Sequence, residues 1–413
     1  MDIFEQANQS DSLIGLVSLM RVAISGGDLG PLGMQLIARA GEDPRVASAN
    51  ALMDLCTVLQ LRGNRDLAMD IQAQALALQQ VYSPPMKRGI GDRSAAAIRL
   101  LAIMGPGDLM SNSPIEFLLE DADVALDILY VTPERDFPVI VPEHDVLFVA
   151  IAESRANAPL LAKVQAAIAG WSKPVLNLPE RIAQLSRDRN CARLRSVAGL
   201  VMPNTLKLSR EQLAMAGRGE LALADLLQDG DFPVIVRPVD SHAGQDLQKL
   251  ERTSDIAAYL AGCDNGEFYL SRFVDYRSGD GLFRKYRIVL IKGEPFLCHM
   301  GISDQWMIHY MNAGMDKDAA KRAEEEAVMR SFDSDFAVRH AAALQTIDDK
   351  FGLDYLGIDC AETADGSLLV FEVDSCMVVH AVDPVDVFPY KLPQMQRVFD
   401  AFFRMLVDAA KPV

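Results

Sequence analysis

Between Ala95 and Asn177, short apolar runs alternate with helical segments, and this alternation restricts the fold more than any other feature of the chain. Arg99 to Met104, Leu126 to Val131, Val146 to Ala150 and Val175 to Asn177 have the length of strands. Glu116 to Ala125 and Leu160 to Ala169 have helical spacing. Strands joined through intervening helices form a mostly parallel sheet.

The N-terminal part reads differently. Residues 1–85 predict an all-helical domain. In its clearest piece, Ala51 to Gln79, one helix carries Leu52, Leu55 and Leu59, and a turn follows at Arg62-Gly63-Asn64. A second helix carries Leu67, Ala68, Ile71, Ala75 and Leu78, with Ala68 and Ala75 where two helices would pack closely. The glycine turn and the alanine spacing resemble a tetratricopeptide repeat. Leu52 and Arg65 stand where that repeat has tryptophan and tyrosine, and one repeat is legible where a solenoid needs about three. A helical hairpin packed on its neighbour, on a protein partner or on a second copy fits the same residues. Tyr82 to Pro85 predicts a linker.

Bulk properties exclude several classes. At 413 residues the chain is too long for one core, so two or three domains are expected. A net charge of -17 disfavours bulk electrostatic binding to nucleic acid or anionic lipid. The apolar stretch Leu13 to Ile24 is interrupted by Arg21, follows Asp2, Glu5 and Asp11, and has helical spacing. It predicts an amphipathic helix, neither a signal peptide nor a membrane span. The six cysteines form no CxxC pair and read as reduced thiols of a cytoplasmic protein.

From Asp188 onward strands and helices lose their regular alternation, which predicts an α+β region. Strands are expected at Phe232 to Arg237, Phe268 to Val274 and Tyr286 to Ile291, and helices at Asp318 to Arg330 and Ala337 to Phe351. The most informative segment is a hairpin, Tyr355 to Cys360 with Ser367 to Asp374. With Asp365-Gly366 as a two-residue turn, Ala364 faces Ser367 and Asp359 faces Glu372. Side-chain alternation then places Asp374 on the face of Glu372. Three carboxylates on one patch repel each other, and a hard divalent cation would relieve them. A solvated outer face is the alternative.

Cations precede these carboxylates. The strand ending Val236-Arg237-Pro238 delivers Arg237 beside the loop Asp240-Ser241-His242-Ala243-Gly244-Gln245, an arrangement suited to phosphate oxygens. Ser241 and Gly244 are its candidate backbone contacts. Arg189 is a second phosphate candidate. Alternation puts Lys285 and Arg287 on one face of their strand. After that strand, Ser303 to Asn312 is rich in polar groups. Asn312 of this segment and the histidines His299, His309 and His380 are candidate substrate contacts.

In this order the motifs resemble the ATP-grasp superfamily, whose members include glutathione synthetases, D-alanine–D-alanine ligases and glutamate-adding ligases. The resemblance covers Ala95 to about Leu406. It implies a helical domain (1–85), a parallel α/β domain (95–187) of the kind that precedes this fold, and an ATP-grasp domain (188–406). Arg189 and Arg237 stand where the family has phosphate-binding lysines. Arg272, Phe273 and Val274 stand on the adenine-binding strand, and Asp275 is the candidate ribose acid. Asp359 and Glu372 match the metal-binding acids, and Asp374 replaces an asparagine. The resemblance implies ATP with one or two Mg2+, for which Mn2+ can substitute. It also implies ligation of a small-molecule or peptide carboxylate to an amine through an acyl phosphate, with Arg287 and Lys285 as catalytic cations. Alternatives are a phosphotransferase or nucleotide-binding regulator, and a helical scaffold with an inactive ATP-grasp domain.

Overall fold

The computed structural model describes residues 12–41, 48–86, 93–228, 230–241 and 244–411. The acids Asp2, Glu5 and Asp11 and the loop residues His242 and Ala243 lie outside the described residues. The protein is a mixed α/β chain, with helices and three sheets among the described residues. It divides into two compact units, one comprising Met1–Ala183, Leu353–Tyr355 and Ser375–Val413, the other Gln184–Gly352 and Leu356–Asp374.

The described part of the first unit opens with the helices α1 (Leu16–Ile24), α2 (Gly30–Ala40), α3 (Ala49–Leu61) and α4 (Arg65–Leu78). Ser48 caps α3 by accepting from the Ala51 amide at 3.1 Å. The turn into α4 passes through Gly63 at φ +80°, a left-handed conformation that ends a helix without a Cβ penalty. Ala68 and Ala75 are fully buried as their spacing predicts. Leu67 and Leu78 are exposed, so the buried face of α4 is the Ala68/Gln72/Ala75/Leu76 stripe and not the leucine set expected. The amides that open α1 are bound from elsewhere. Asp54 of α3 accepts from Ile14 and Gly15 at 2.8 and 3.1 Å, and Glu116 accepts from Leu16 at 3.0 Å.

The sheet of this unit has the order β1-β3-β2-β4-β5, with β1 at Val81–Tyr82, β2 at Ile98–Met104, β3 at Val124–Tyr130, β4 at Val146–Val149 and β5 at Val175–Leu176. Strands β2 to β5 run parallel, as the alternation predicts, and β1 pairs antiparallel with β3. Tyr82, read as linker, is therefore an edge-strand residue, and it is buried. The helix predicted over Glu116 to Ala125 is only Ile115–Leu118. The acidic run Glu120-Asp121-Ala122-Asp123 does not continue it, and Val124 and Ala125 join β3. The C-terminal helix, Lys391–Ala410, packs Phe402 against Phe148 of β4 and against Tyr355.

The second unit starts with helix α5 (Arg187–Leu194). A four-stranded antiparallel sheet follows, of order β7-β10-β8-β9: β7 Thr205–Ser209, β8 Val234–Pro238, β9 Gln248–Leu250 and β10 Glu267–Arg272. Its apolar face, with Val234, Val236, Phe268 and Leu270, packs on Leu213, Ile256 and Tyr259 of the helices Arg210–Gly217 and Asp255–Ala261. The last sheet has the order β12-β11-β13-β14-β6: β6 Leu200–Val201, β11 Phe283–Ile291, β12 Glu294–Ser303, β13 Tyr355–Glu362 and β14 Leu368–Asp374. The predicted helix Ala337 to Phe351 is interrupted. It runs as Phe336–Arg339 and Ala341–Phe351, and between them the His340 ring lies 2.8 Å from Glu362.

Candidate active site

The site is built on the β13/β14 hairpin, and its register decides which side chains meet. Asp359 faces Glu372, as alternation predicts, but the turn is not the two-residue one. Glu362 pairs with Leu368, Thr363 and Gly366 close a longer loop, and Gly366 takes φ +81°. A bulge between Asp359 and Cys360 absorbs the extra residue on β14 and restores the Asp359–Glu372 pair. Asp374 lies one alternation further along, opposite Gly357.

Asp359 is 2% exposed. It accepts from Arg287 Nε at 2.8 Å and from a second guanidinium nitrogen at 3.0 Å, and Lys285 Nζ lies 2.6 Å away. Both cations come from β11, where the predicted alternation sets them on one face. These two charges overcome the cost of burial and hold the Asp359 carboxyl far below the ordinary carboxylate range. Glu372 is ion-paired with Arg187, which also donates to the Phe371 carbonyl at 3.1 Å. Its carboxyl is likewise lowered, against burial, by the charges of Arg187 and Arg237.

Arg187 is the residue that sequence reasoning passed over in favour of Arg189. Side chains two apart on a helix point to opposite sides. With Arg187 turned toward β14, Arg189 is exposed on the far side of α5. Asn190, three residues after Arg187 and fully buried, donates to the carbonyls of Val373 and Leu185 at 2.9 Å and fixes α5 on the strand. The signal for this pair was its i, i+3 spacing.

Arg237 stands at the end of β8 and is 9% exposed. Its Nε donates to Ser241 Oγ at 3.2 Å, and its guanidinium also binds the Ser241 carbonyl. Among the described residues its hydrogen bonds go to Ser241 and to no carboxylate. Burial first, and then the charge of Arg187, push the guanidinium below its ordinary value, and Glu372 opposes this in part. A buried cation so placed has an unfilled demand for an anion. The same loop continues to Gly244, at φ +72°, where a side-chain carbon would lie 3.1 Å from His309 Nε2. The positive φ favours glycine there, and a side chain would crowd the His309 ring.

His309 is half-buried, and burial together with the charges of Lys285 and Arg287 pushes its pKa down. His299 faces Arg287 in the β11/β12 register, and its ring lies 4.6 Å from that of Tyr310. Asn312 is exposed and accepts from the His309 amide at 3.0 Å, so it shapes the turn that carries His309. His380 belongs to the first unit, beside Phe117.

Arg272 ends β10 opposite Val234, and the Phe273 amide donates to the Pro233 carbonyl at 2.9 Å. The Phe273 ring is flanked by Lys249 Nζ at 4.1 Å and by the edge of Trp306 at 5.7 Å. Val274 follows in the loop. Asp275 is exposed and ion-paired with Arg277 at 2.6 Å.

Among the described residues no group of three or more His, Cys, Asp or Glu is arranged to hold a metal ion. The expected trio is thus not a closed cage. Two of its members face each other, and their charges are already balanced by lysine and arginine.

No protein-family model matches the chain, and a search of curated proteins finds no relative. Solved structures give distant likenesses. A D-Ala:D-Ser ligase, VanG, from Enterococcus faecalis is 13% identical with a TM-score of 0.46, covering 76% of this chain and 99% of its own. A D-alanine–D-alanine ligase from Bacillus anthracis is 12% identical with a TM-score of 0.44, covering 76% and 97%. A RimK domain ATP-grasp protein from Sphaerobacter thermophilus is 16% identical with a TM-score of 0.41, covering 75% and 99%.

Proposed function

We propose that the second unit binds ATP and that the protein is an ATP-dependent ligase of the ATP-grasp kind, joining a carboxylate to an amine. One observation carries this reading. A buried Arg237 that, among the described residues, hydrogen-bonds no carboxylate shares a patch with Lys285, Arg287 and Arg187, each of which leans on a carboxylate of one hairpin. Four cations against Asp359, Glu372 and the neighbouring Asp374 leave a surplus of about one positive charge, which favours an anionic ligand such as a triphosphate.

Magnesium fits the donor chemistry in part. It is commonly held through one or two carboxylates plus phosphate oxygens, not by an all-protein cage. Asp359 and Glu372, facing each other on adjacent strands, supply that number of hard donors. When bound, the ion would neutralise phosphate charge.

In this reading Arg237, Ser241 and Gly244 hold the phosphates, and Arg287 and Lys285 stabilise the transferring phosphoryl group. Asp374 and the nucleotide contacts Arg272, Phe273, Val274 and Asp275 keep their proposed roles, and Arg187, which faces β14, is proposed for the phosphate contact expected of Arg189. The substrate carboxylate takes the γ-phosphoryl group and releases ADP. The amine then adds to the acyl carbon, loses a proton and expels phosphate. His299 and His309 are proposed to face these substrates.

A binding module that holds nucleotide without forming a bond is the second reading, favoured by the carboxylates being ion-paired already. ADP production dependent on added acid and amine pools separates the two. Glu372→Gln should abolish it in a folded protein, and turnover at the wild-type rate in that variant would remove Glu372 from the site. The helical region is proposed to contact a protein partner or second copy, with Met34 and Ile37 exposed one turn apart on α2. No helix among the described residues is long and apolar enough to cross a membrane. A cytoplasmic location is part of this proposal.

A further inference from the structure

The two carboxylates that a divalent ion would use are occupied. Both oxygens of Asp359 are engaged, one by Arg287 Nε at 2.8 Å, the other by Lys285 Nζ at 2.6 Å and a second Arg287 nitrogen at 3.0 Å. Glu372 is held by Arg187. Arg237 adds a fourth cation and, among the described residues, hydrogen-bonds no carboxylate. A divalent ion arriving alone would bring two positive charges to a patch with a surplus of about one, and would have to displace three side chains to reach its donors. A polyphosphate meets the opposite situation. It satisfies Arg237 and draws Lys285, Arg287 and Arg187 toward its own oxygens, which frees the Asp359 and Glu372 oxygens.

We infer that this site binds a polyphosphate anion before a divalent metal, with Lys285, Arg287 and Arg187 exchanging from the hairpin carboxylates to the phosphates. The inference rests on the phosphate-binding reading above and adds an order of binding that ligation itself does not require. It also makes the two ligands cooperative, because each removes the charge that opposes the other, and such coupling is reciprocal.

The test uses the full chain stripped of metal with EDTA and measures binding only. Inorganic tripolyphosphate alone should raise the thermal midpoint and bind in calorimetry. Mn2+ alone, followed by the loss of its free paramagnetic resonance signal, should bind no tighter than about millimolar, the weak end of carboxylate sites. With both present, and free concentrations corrected for their complex in solution, each should bind about tenfold or more tighter, within the usual range of coupling. Lys285→Met, with folding checked by circular dichroism, should weaken tripolyphosphate binding and tighten Mn2+ binding. Arg187→Gln should do the same through Glu372. Mn2+ binding alone at micromolar concentration would overturn the inference. So would tripolyphosphate binding only when metal is present, or cation variants that leave metal affinity unchanged. Anion-first binding without ADP release from any acid and amine would keep this inference and remove ligation. Ligation with metal bound first would do the reverse.

Discussion

Replacing Asp359 by Asn should destabilise the second unit more than its small chemical change suggests. The carboxylate is 2% exposed and holds two cations whose side chains are only 18–20% exposed. An amide of the same shape presents at least one N–H to groups that are themselves donors, so Arg287 and Lys285 lose their counter-charge while still largely desolvated. Breaking a buried pair in this way costs about 3–5 kcal/mol. Partial solvent access to both cations argues for the lower end, about 3 kcal/mol. For a unit of about 190 residues this corresponds to a fall in Tm of about 6–12 °C. Thermal unfolding by circular dichroism, with hydrogen exchange to assign the transition to the second unit, measures it. The double variant Asp359→Asn with Arg287→Met should be less destabilised than the sum of the single variants by about 1–3 kcal/mol, because the second change removes the stranded cation. A Tm within about 2 °C of wild type for Asp359→Asn, or additive losses, would show that the pair is effectively solvated and that the charge argument is wrong.

Three further outcomes are expected. Arg237→Ala should weaken nucleotide binding by about 1.5–3 kcal/mol in calorimetry, the range of a charge-assisted contact, and Arg237→Lys should not fully restore it because Ser241 is bound by the guanidinium fork. Arg287→Ala, assayed where it remains folded, should lower kcat by about 10²–10³ with a much smaller change in nucleotide affinity, and a normal kcat would make this cation purely structural. Burial raises Asp54 from 3.8 to about 7, so its favourable contribution is complete below the unfolded value and is lost as pH rises through about 7. Stability should therefore fall between pH 5 and 7, at up to about 1.4 kcal/mol per pH unit for this group, and Glu116, also raised to about 7, acts with the same sign. Asp54→Asn should flatten that slope by close to one proton, as read from denaturant unfolding at several pH values, and an unchanged slope would assign the ionisation elsewhere.

The parallel sheet of the first unit was legible because each of its strands is a short apolar run between breaks. The α3/α4 hairpin was legible because Gly63 and two alanines mark its turn and its contact line. What escaped was whatever depended on where a chain segment stops. Strand β12 was overlooked although Lys292-Gly293, both at positive φ, is a favoured turn between two apolar runs. Arg189 was preferred to Arg187 because a motif fixes position along the chain, whereas the helix axis decides which of two residues faces the strand.

The hairpin shows how far such reasoning carries. The two-residue turn was wrong by one residue, and a bulge near its inner end returned Asp359 to Glu372. Had the bulge been absent, Asp359 would face Phe371, and the aromatic ring now packed on Tyr276 would occupy the place of the carboxylate. Two facing acids can be tolerated by solvent, by a metal ion or by cations of the chain. Near-complete burial of Asp359 removes the first route. The alternation of Lys285 and Arg287, visible in the sequence, supplies the third on the neighbouring strand. Sequence periodicity named every member of that ion-pair cluster except Arg187. Their order in the sheet, which no local pattern encodes, decides that the chain's own cations reach Asp359.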